Sequence, residues 1–211
     1  MKIILKNIRP TYMSEAEVLP SDIYLCDQLF FEKGKKYLIR AHSGHGKSSF
    51  LNIIYGSNPD YLGKIEFQGI SKEMTPFQLR KRNLSYVFQD FKLFPDLTVF
   101  ENLALKNSLT HHKSTKEIEA FINRVQLHHK KKNRLVKQLS MGQQQRVAIL
   151  RAICQPFDFI LMDEPFSHLD KENIKILTDI LNEECKKNDA GLIITSLGEE
   201  YFFNYDHFLN L

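Results

Sequence analysis

Leu139-Ser140-Met141-Gly142-Gln143-Gln144-Gln145-Arg146 is the stretch on which the reading of this chain turns. Ser140, Gly142 and Gln143 open a helix, so free N–H groups and a hydroxyl gather there into an anion site. Ser-x-Gly alone can be no more than a helix N-cap, and the surrounding chain has to decide. Downstream, the apolar run Phe159-Ile160-Leu161-Met162 ends in Asp163-Glu164-Pro165. Far upstream lies the glycine-rich turn Gly44-His45-Gly46-Lys47-Ser48-Ser49.

That turn follows an expected strand, Lys36 to Ala41, and leads into an expected helix, Lys47 to Tyr55. Glycine lets backbone N–H groups turn toward phosphates, and the helix N-terminus adds a favourable dipole. The loop from Ser43 through Gly44, His45, Gly46, Lys47, Ser48 and Ser49 reads as a phosphate cradle. In it Lys47 meets the β- and γ-phosphates and the Ser48 hydroxyl meets magnesium. The strict pattern has glycine where this chain has Ala41, which costs roughly 1 kcal/mol if that position needs positive φ. An ordinary glycine-rich turn with an exposed lysine is the bland alternative.

Composition bounds the rest. A chain of 211 residues, 43% hydrophobic and 26% charged, suits one large domain or a core with a small subdomain. No apolar run approaches the ~20 residues that cross a bilayer, and Met1 to Lys6 reads as a first strand, not a signal peptide. Cys26, Cys154 and Cys185 are scattered and odd in number, which favours a reduced, cytosolic protein without structural zinc. A net charge of +4 does not imply nucleic acid.

Strands are expected at 2–8, 23–31, 36–41, 64–67, 84–88, 157–162 and 191–195, and helices at 47–55, 99–107, 115–125, 142–154, 172–187 and 197–203. The runs ending at Ala41, Met162 and Thr195 are short and unbroken, as in parallel strands buried on both faces. Ligands in such sheets bind at the carboxyl ends of strands, where the motifs fall. Residues 90–140 read as a helical subdomain inserted between core segments 1–89 and 141–211.

In this order and spacing the motifs resemble the nucleotide-binding domain of the ABC (ATP-binding cassette) ATPases, over nearly the whole chain. Residues Phe91 to Leu103 and Phe77 to Ser85 look most like the lipoprotein-release, macrolide-export and cell-division branch. The resemblance implies an α/β P-loop fold with a mostly parallel sheet, an N-terminal antiparallel part and the inserted helices. It implies ATP and Mg²⁺, with Asp163 holding the metal through water and Glu164 as general base for the attacking water. Phe166-Ser167-His168-Leu169-Asp170 resembles the D-loop. Gln89, after the strand Tyr86-Val87-Phe88, matches the glutamine that reaches metal and water. Ser140, Gly142 and Gln143 then bind the γ-phosphate of ATP held by a second ATPase subunit, homo- or heteromeric. Tyr12 is the candidate for stacking on adenine, and could equally be an exposed loop aromatic.

Two departures bear on chemistry. Met141 replaces the first signature glycine, leaving the serine and second glycine in place. Ser196 stands where the family has a histidine that contacts the γ-phosphate and the catalytic glutamate. A serine donates one hydrogen bond and carries no positive charge near neutral pH. Losing one preorganised donor typically costs ~10²–10³ in rate, so slow hydrolysis is expected. His42, His45 and His168 fall at variable motif positions, whereas His111-His112 and the basic run from His128 to Arg134 support no site.

The expected function is an energy-coupling ATPase subunit docked on a separate transmembrane permease-type protein. It would sit in the cytoplasm, peripheral to the inner face of the membrane, without inserting. The alternative is an ATP-operated regulatory clamp, whose output is dimerisation and not turnover. About fifty residues separate Gln89 from Leu139, without heptads or paired cysteines, which disfavours the chromosome- and repair-associated members.

Overall fold

In the computed structural model, which describes residues 1–18, 21–71, 73–127 and 132–211, two sheets and a set of helices share the chain. The His128-His129 pair and the two lysines after it lie outside the described residues. An antiparallel sheet of order β2-β1-β4 is built from β1 (Lys2–Pro10), β2 (Leu29–Glu32) and β4 (Tyr61–Gln68). A parallel sheet of order β5-β6-β7-β3-β8 holds β3 (Lys36–Arg40), β5 (Leu84–Val87), β6 (Phe159–Asp163), β7 (Gly191–Ser196) and β8 (His207–Asn210). Every residue of β5, β6 and β7 is buried, as unbroken apolar runs covered on both faces require.

The helices are α1 (Glu15–Val18), α2 (Lys47–Tyr55), α3 (Pro76–Arg82), α4 (Val99–Ser108), α5 (Thr115–Arg124), α6 (Met141–Ala152) and α7 (Lys171–Asn188). Capping fixes where several begin. Thr75 with Gln78, Thr98 with Glu101, Ser114 with Glu117 and Ser140 with Gln143 each form a reciprocal capping box. Apolar side chains of α4, α5, α6 and α7 and one face of the parallel sheet form a single cluster. The other face, the antiparallel sheet and α2 form a second. The sheet thus separates the phosphate-loop helix from the α6 side.

Two expectations fail. The strand expected over 23–31 becomes a regular strand only from Leu29. Upstream of it Leu25 takes left-handed backbone (φ 58°), and this part touches β1 through separate backbone bonds, from the Leu25 N–H to the Ile8 carbonyl and from the Asn7 N–H to the Cys26 carbonyl. The helix expected over 197–203 is absent. Gly198 takes φ 122°, the Phe203 N–H bonds to the Tyr201 carbonyl, and the aromatic rings of Tyr201 and Phe203 pack on Phe166. The short α1, α3, β8 and a 3₁₀ turn at Val136–Gln138 are additional to the expected elements.

Candidate active site

The carboxyl ends of β3, β6 and β7 come together because these strands are adjacent and parallel, and the polar residues follow their last buried positions. After β3, Ala41 adopts no left-handed backbone and its N–H bonds to the Ser196 carbonyl at 3.2 Å. Replacing glycine with alanine therefore carries no left-handed penalty here. Gly44 and Gly46 supply the φ values of 83° and 86° that the loop needs. Gly46 caps α2 without a side-chain acceptor, so the helix opens with N–H groups free of side-chain caps.

Lys47 is buried, and its ammonium is held on three sides. It donates to the Ala41 and His42 carbonyls, each at 2.9 Å, and lies 3.1 Å from Glu164 Oε1. These contacts match the three donors of an ammonium. Tyr12, 62% exposed, donates from its phenol to Ser49 Oγ at 2.7 Å. A cavity of about 220 Å³ is lined by Tyr12, Ser43, Gly44, Lys47, Gln89 and Glu164. An adjoining hollow of about 760 Å³ is lined in part by Ser48, Gln89 and Asp163. His45 is exposed, its ring beside that of His42.

Asp163, the last residue of β6, is 2% exposed. Burial pushes its carboxyl up from the usual range, opposed by hydrogen bonds from the Ser48 and Thr195 hydroxyls. Thr195 reaches Asp163 Oδ1 at 2.8 Å because the two residues are register partners on β7 and β6. The next residue, Glu164, has left-handed backbone at φ 45°, an uncommon and costly conformation for a residue with a Cβ. Its N–H is held by both the carbonyl and the hydroxyl of Thr195, each at 3.3 Å. Ser48 Oγ lies 3.4 Å from Gln89 Oε1, bringing the glutamine to the start of α2.

Ser196 faces differently. It is fully buried, its hydroxyl donates to the Glu199 carbonyl at 2.8 Å, and it accepts from the Gly198 N–H at 3.1 Å. The hydroxyl thus braces its own loop.

Ser140, Gly142 and Gln143 open α6, and Met141 between them is 52% exposed, clear of the helix contacts. Gly142 is needed for close approach: a Cβ there would sit 2.7 Å from the His168 carbonyl oxygen. None of these three residues lines the cavity at the phosphate loop. The helix starts of α2 and α6 therefore stand apart within one chain.

Residue-type reasoning missed Thr195, Gln145 and Arg151. The register of β6 against β7 points to Thr195 once the sheet order is known. Gln145 and Arg151 carry no such signal, since a glutamine and an arginine on a helix usually face solvent.

Residues 27–167 match the family described as ABC transporter. The chain is 33% identical over 195 residues to an uncharacterized ABC transporter ATP-binding protein, YclH, of Bacillus subtilis, covering 90% of this chain and 84% of that protein. It is 35% identical over 176 residues to the lipoprotein-releasing system ATP-binding protein LolD of Buchnera aphidicola, covering 80% and 76% respectively. It superposes with a TM-score of 0.74 and 27% identity on the ATP-binding cassette MJ0796, a dimer in a post-hydrolysis state with ADP and Pi, covering 92% of this chain and 87% of that one. With its glycine loop, strand-end carboxylates and separate signature helix, the chain belongs to the ABC transporter ATP-binding family and is an ATPase that converts ATP and water to ADP and phosphate.

Proposed function

We propose that the chain pairs head-to-tail with a second cassette around ATP and drives a separate membrane permease-type protein, with slow intrinsic turnover. The observation that carries this reading is the separation of the Lys47 cavity from the exposed Ser140-Gly142-Gln143 helix end. A lone chain has half of each site, and the matching halves meet only across a pair. The dimeric MJ0796 cassette supports the pairing. LolD, by its name part of a lipoprotein-releasing system, supports a membrane-associated role without naming a substrate for this chain.

In this reading Lys47 and the N–H groups of the 43–49 loop bind the phosphates, and Tyr12 stacks on the purine. Ser48, Asp163 and Gln89 offer a hydroxyl, a carboxylate and an amide oxygen around one hollow, an all-oxygen donor set suited to Mg²⁺. The metal would neutralise charge on the β- and γ-phosphate oxygens. Glu164 orients and polarises the attacking water once it leaves Lys47. Ser140, Gly142 and Gln143 hold the γ-phosphate of the partner's nucleotide. Residues 1–89 and 141–211 form the ATP-binding core and 90–140 the helical subdomain. Among the described residues no helix is long and apolar enough to cross a membrane, so the reading places the chain at the inner membrane face through its partner.

A regulatory clamp is the second reading, favoured by the Ser196 hydroxyl being turned into its own loop. Mg²⁺-dependent ATP hydrolysis measured across protein concentration, with Glu164→Gln as control, separates the two. Turnover rising more than linearly and vanishing in the variant supports the first; turnover no greater than the variant's supports the clamp.

A further inference from the structure

Helix α6 begins at the signature, and two of its side chains reach the loops that carry Glu164 and Gln89. Gln145, 1% exposed, lies one turn beyond Gly142. Its amide nitrogen donates to the Glu164 carbonyl and to Ser167 Oγ, each at 3.4 Å, and its oxygen accepts from the His168 N–H at 3.1 Å. Arg151, two turns further, donates to the Phe91 and Lys92 carbonyls at 2.9 and 2.6 Å.

Both loops are strained where these side chains grip them. Glu164 has φ 45°, and Phe91 and Lys92, just after Gln89 and Asp90, have φ 63° and 47°. Such backbone persists only where surrounding contacts impose it. At Glu164 those contacts are Thr195 on the N–H and Gln145 on the carbonyl. The two Gln145 donor distances lie at the long end for hydrogen bonds, so a shift of α6 by a few tenths of an ångström strengthens or breaks them.

We propose that Gln145 is a positioning residue joining the two half-sites of one cassette: engagement of its signature by the partner's nucleotide is transmitted along α6 and through the Gln145 amide to Glu164. This rests on the paired-cassette reading above. The rigid helix and the close packing of Gly142 on the His168 carbonyl make the path short. Arg151 gives the same helix a hold on the Gln89 loop.

The test uses the full chain in two variants, Gln145→Met and Gln145→Glu. The first keeps the side-chain length and removes all three hydrogen bonds. The second keeps the acceptor for His168 and removes the donors to Glu164 and Ser167. In a Glu164→Gln background, MgATP-driven pairing is followed by sedimentation, and hydrogen exchange is followed over residues 164–170. MgATP is expected to slow exchange there when Gln145 is present, and both variants are expected to erase that slowing while pairing stays within about threefold. In the chain retaining Glu164, both are expected to lower kcat by about 10- to 100-fold with KM for ATP little changed, the scale of a small misplacement of a reacting group. Gln145→Glu behaving as the unsubstituted chain in exchange overturns the proposal, as does parallel loss of melting temperature, pairing and kcat. Absence of MgATP-driven pairing in Glu164→Gln alone overturns instead the paired-cassette reading on which the proposal rests.

Discussion

The Lys47 ammonium and the Glu164 carboxylate form an ion pair at 3.1 Å, with side-chain exposures of 5% and 16%. In the proposed reading, in which Lys47 meets the phosphates, the carboxylate occupies a side of the ammonium that a phosphate would take, and nucleotide entry would exchange one anion for another. Replacing Glu164 by glutamine removes that competition at a partly buried site. Glu164→Gln is expected to tighten MgATP binding about tenfold, or ~1.4 kcal/mol, while abolishing turnover. Titration calorimetry checks the first and phosphate release the second; weaker binding by the variant contradicts the competition.

Ser196 offers a second check on the site. Its hydroxyl joins the Gly198 N–H to the Glu199 carbonyl and makes no bond toward Lys47 or Glu164. Ser196→Ala is expected to leave turnover within about twofold and cost about 1 kcal/mol of stability, the worth of the lost local bonds. Ser196→His is expected to raise turnover at least about tenfold if a missing donor to developing charge limits the rate. Unchanged turnover in the histidine variant removes that account of slow hydrolysis.

Gly142 makes a steric prediction. The Cβ of an alanine would meet the His168 backbone oxygen at 2.7 Å, and neither backbone yields without moving α6 from the 164–170 loop. Gly142→Ala is expected to reduce kcat by about 100-fold, as a displacement near 1 Å can. Single-site nucleotide binding at the Lys47 cavity, measured at dilute protein, is expected to stay within about threefold, because that cavity lies apart. Equal loss of binding and kcat points to general unfolding.

Lys113 and Glu184 form a buried pair at 2.5 Å, with side-chain exposures of 0% and 8%, tying the approach to α5 to the end of α7. Asn107 clamps the Lys113 backbone on both its N–H and carbonyl. Removing one charge strands the other in the interior, which costs about 3–5 kcal/mol, whereas removing both with apolar residues is often near neutral. Glu184→Gln is expected to lower stability by about 3 kcal/mol, and Lys113→Met with Glu184→Leu to recover most of it. Urea unfolding of the two variants measures the difference; a double variant as unstable as the single one defeats the account.

Local sequence information set much of this. The runs at 159–162 and 191–195 are apolar at every step until their ends, so they report strands covered on both faces, and Asp163 and Thr195 fall at the ends facing the loops. Gly44, Gly46 and Lys47 declare a turn whose backbone only glycine tolerates, and Ser140 starts α6 where the motif places it. Those are statements about single positions or neighbours a few residues apart, which is the range over which periodicity and backbone preference act.

Long-range matters were settled by packing. The stretch over 23–31 is a regular strand only from Leu29, after Leu25 turns left-handed, and 197–203 is not helical, with Gly198 at φ 122° and Tyr201 packed on Phe166. That the Ala41 N–H meets the Ser196 carbonyl and that Gln145 grips the Glu164 loop are decided by which distant groups meet after the sheet assembles, whereas the Ser196 hydroxyl bonds to Gly198 and Glu199 within its own turn. The sequence by itself determined the main strands and helices of the core, their buried faces and the family motifs, because these depend on local backbone preference and hydrophobic pattern. Only the tertiary structure decided the long-range partners of Ser48, Thr195, Gln145 and Arg151, because those hydrogen bonds join residues roughly 20 to 60 positions apart.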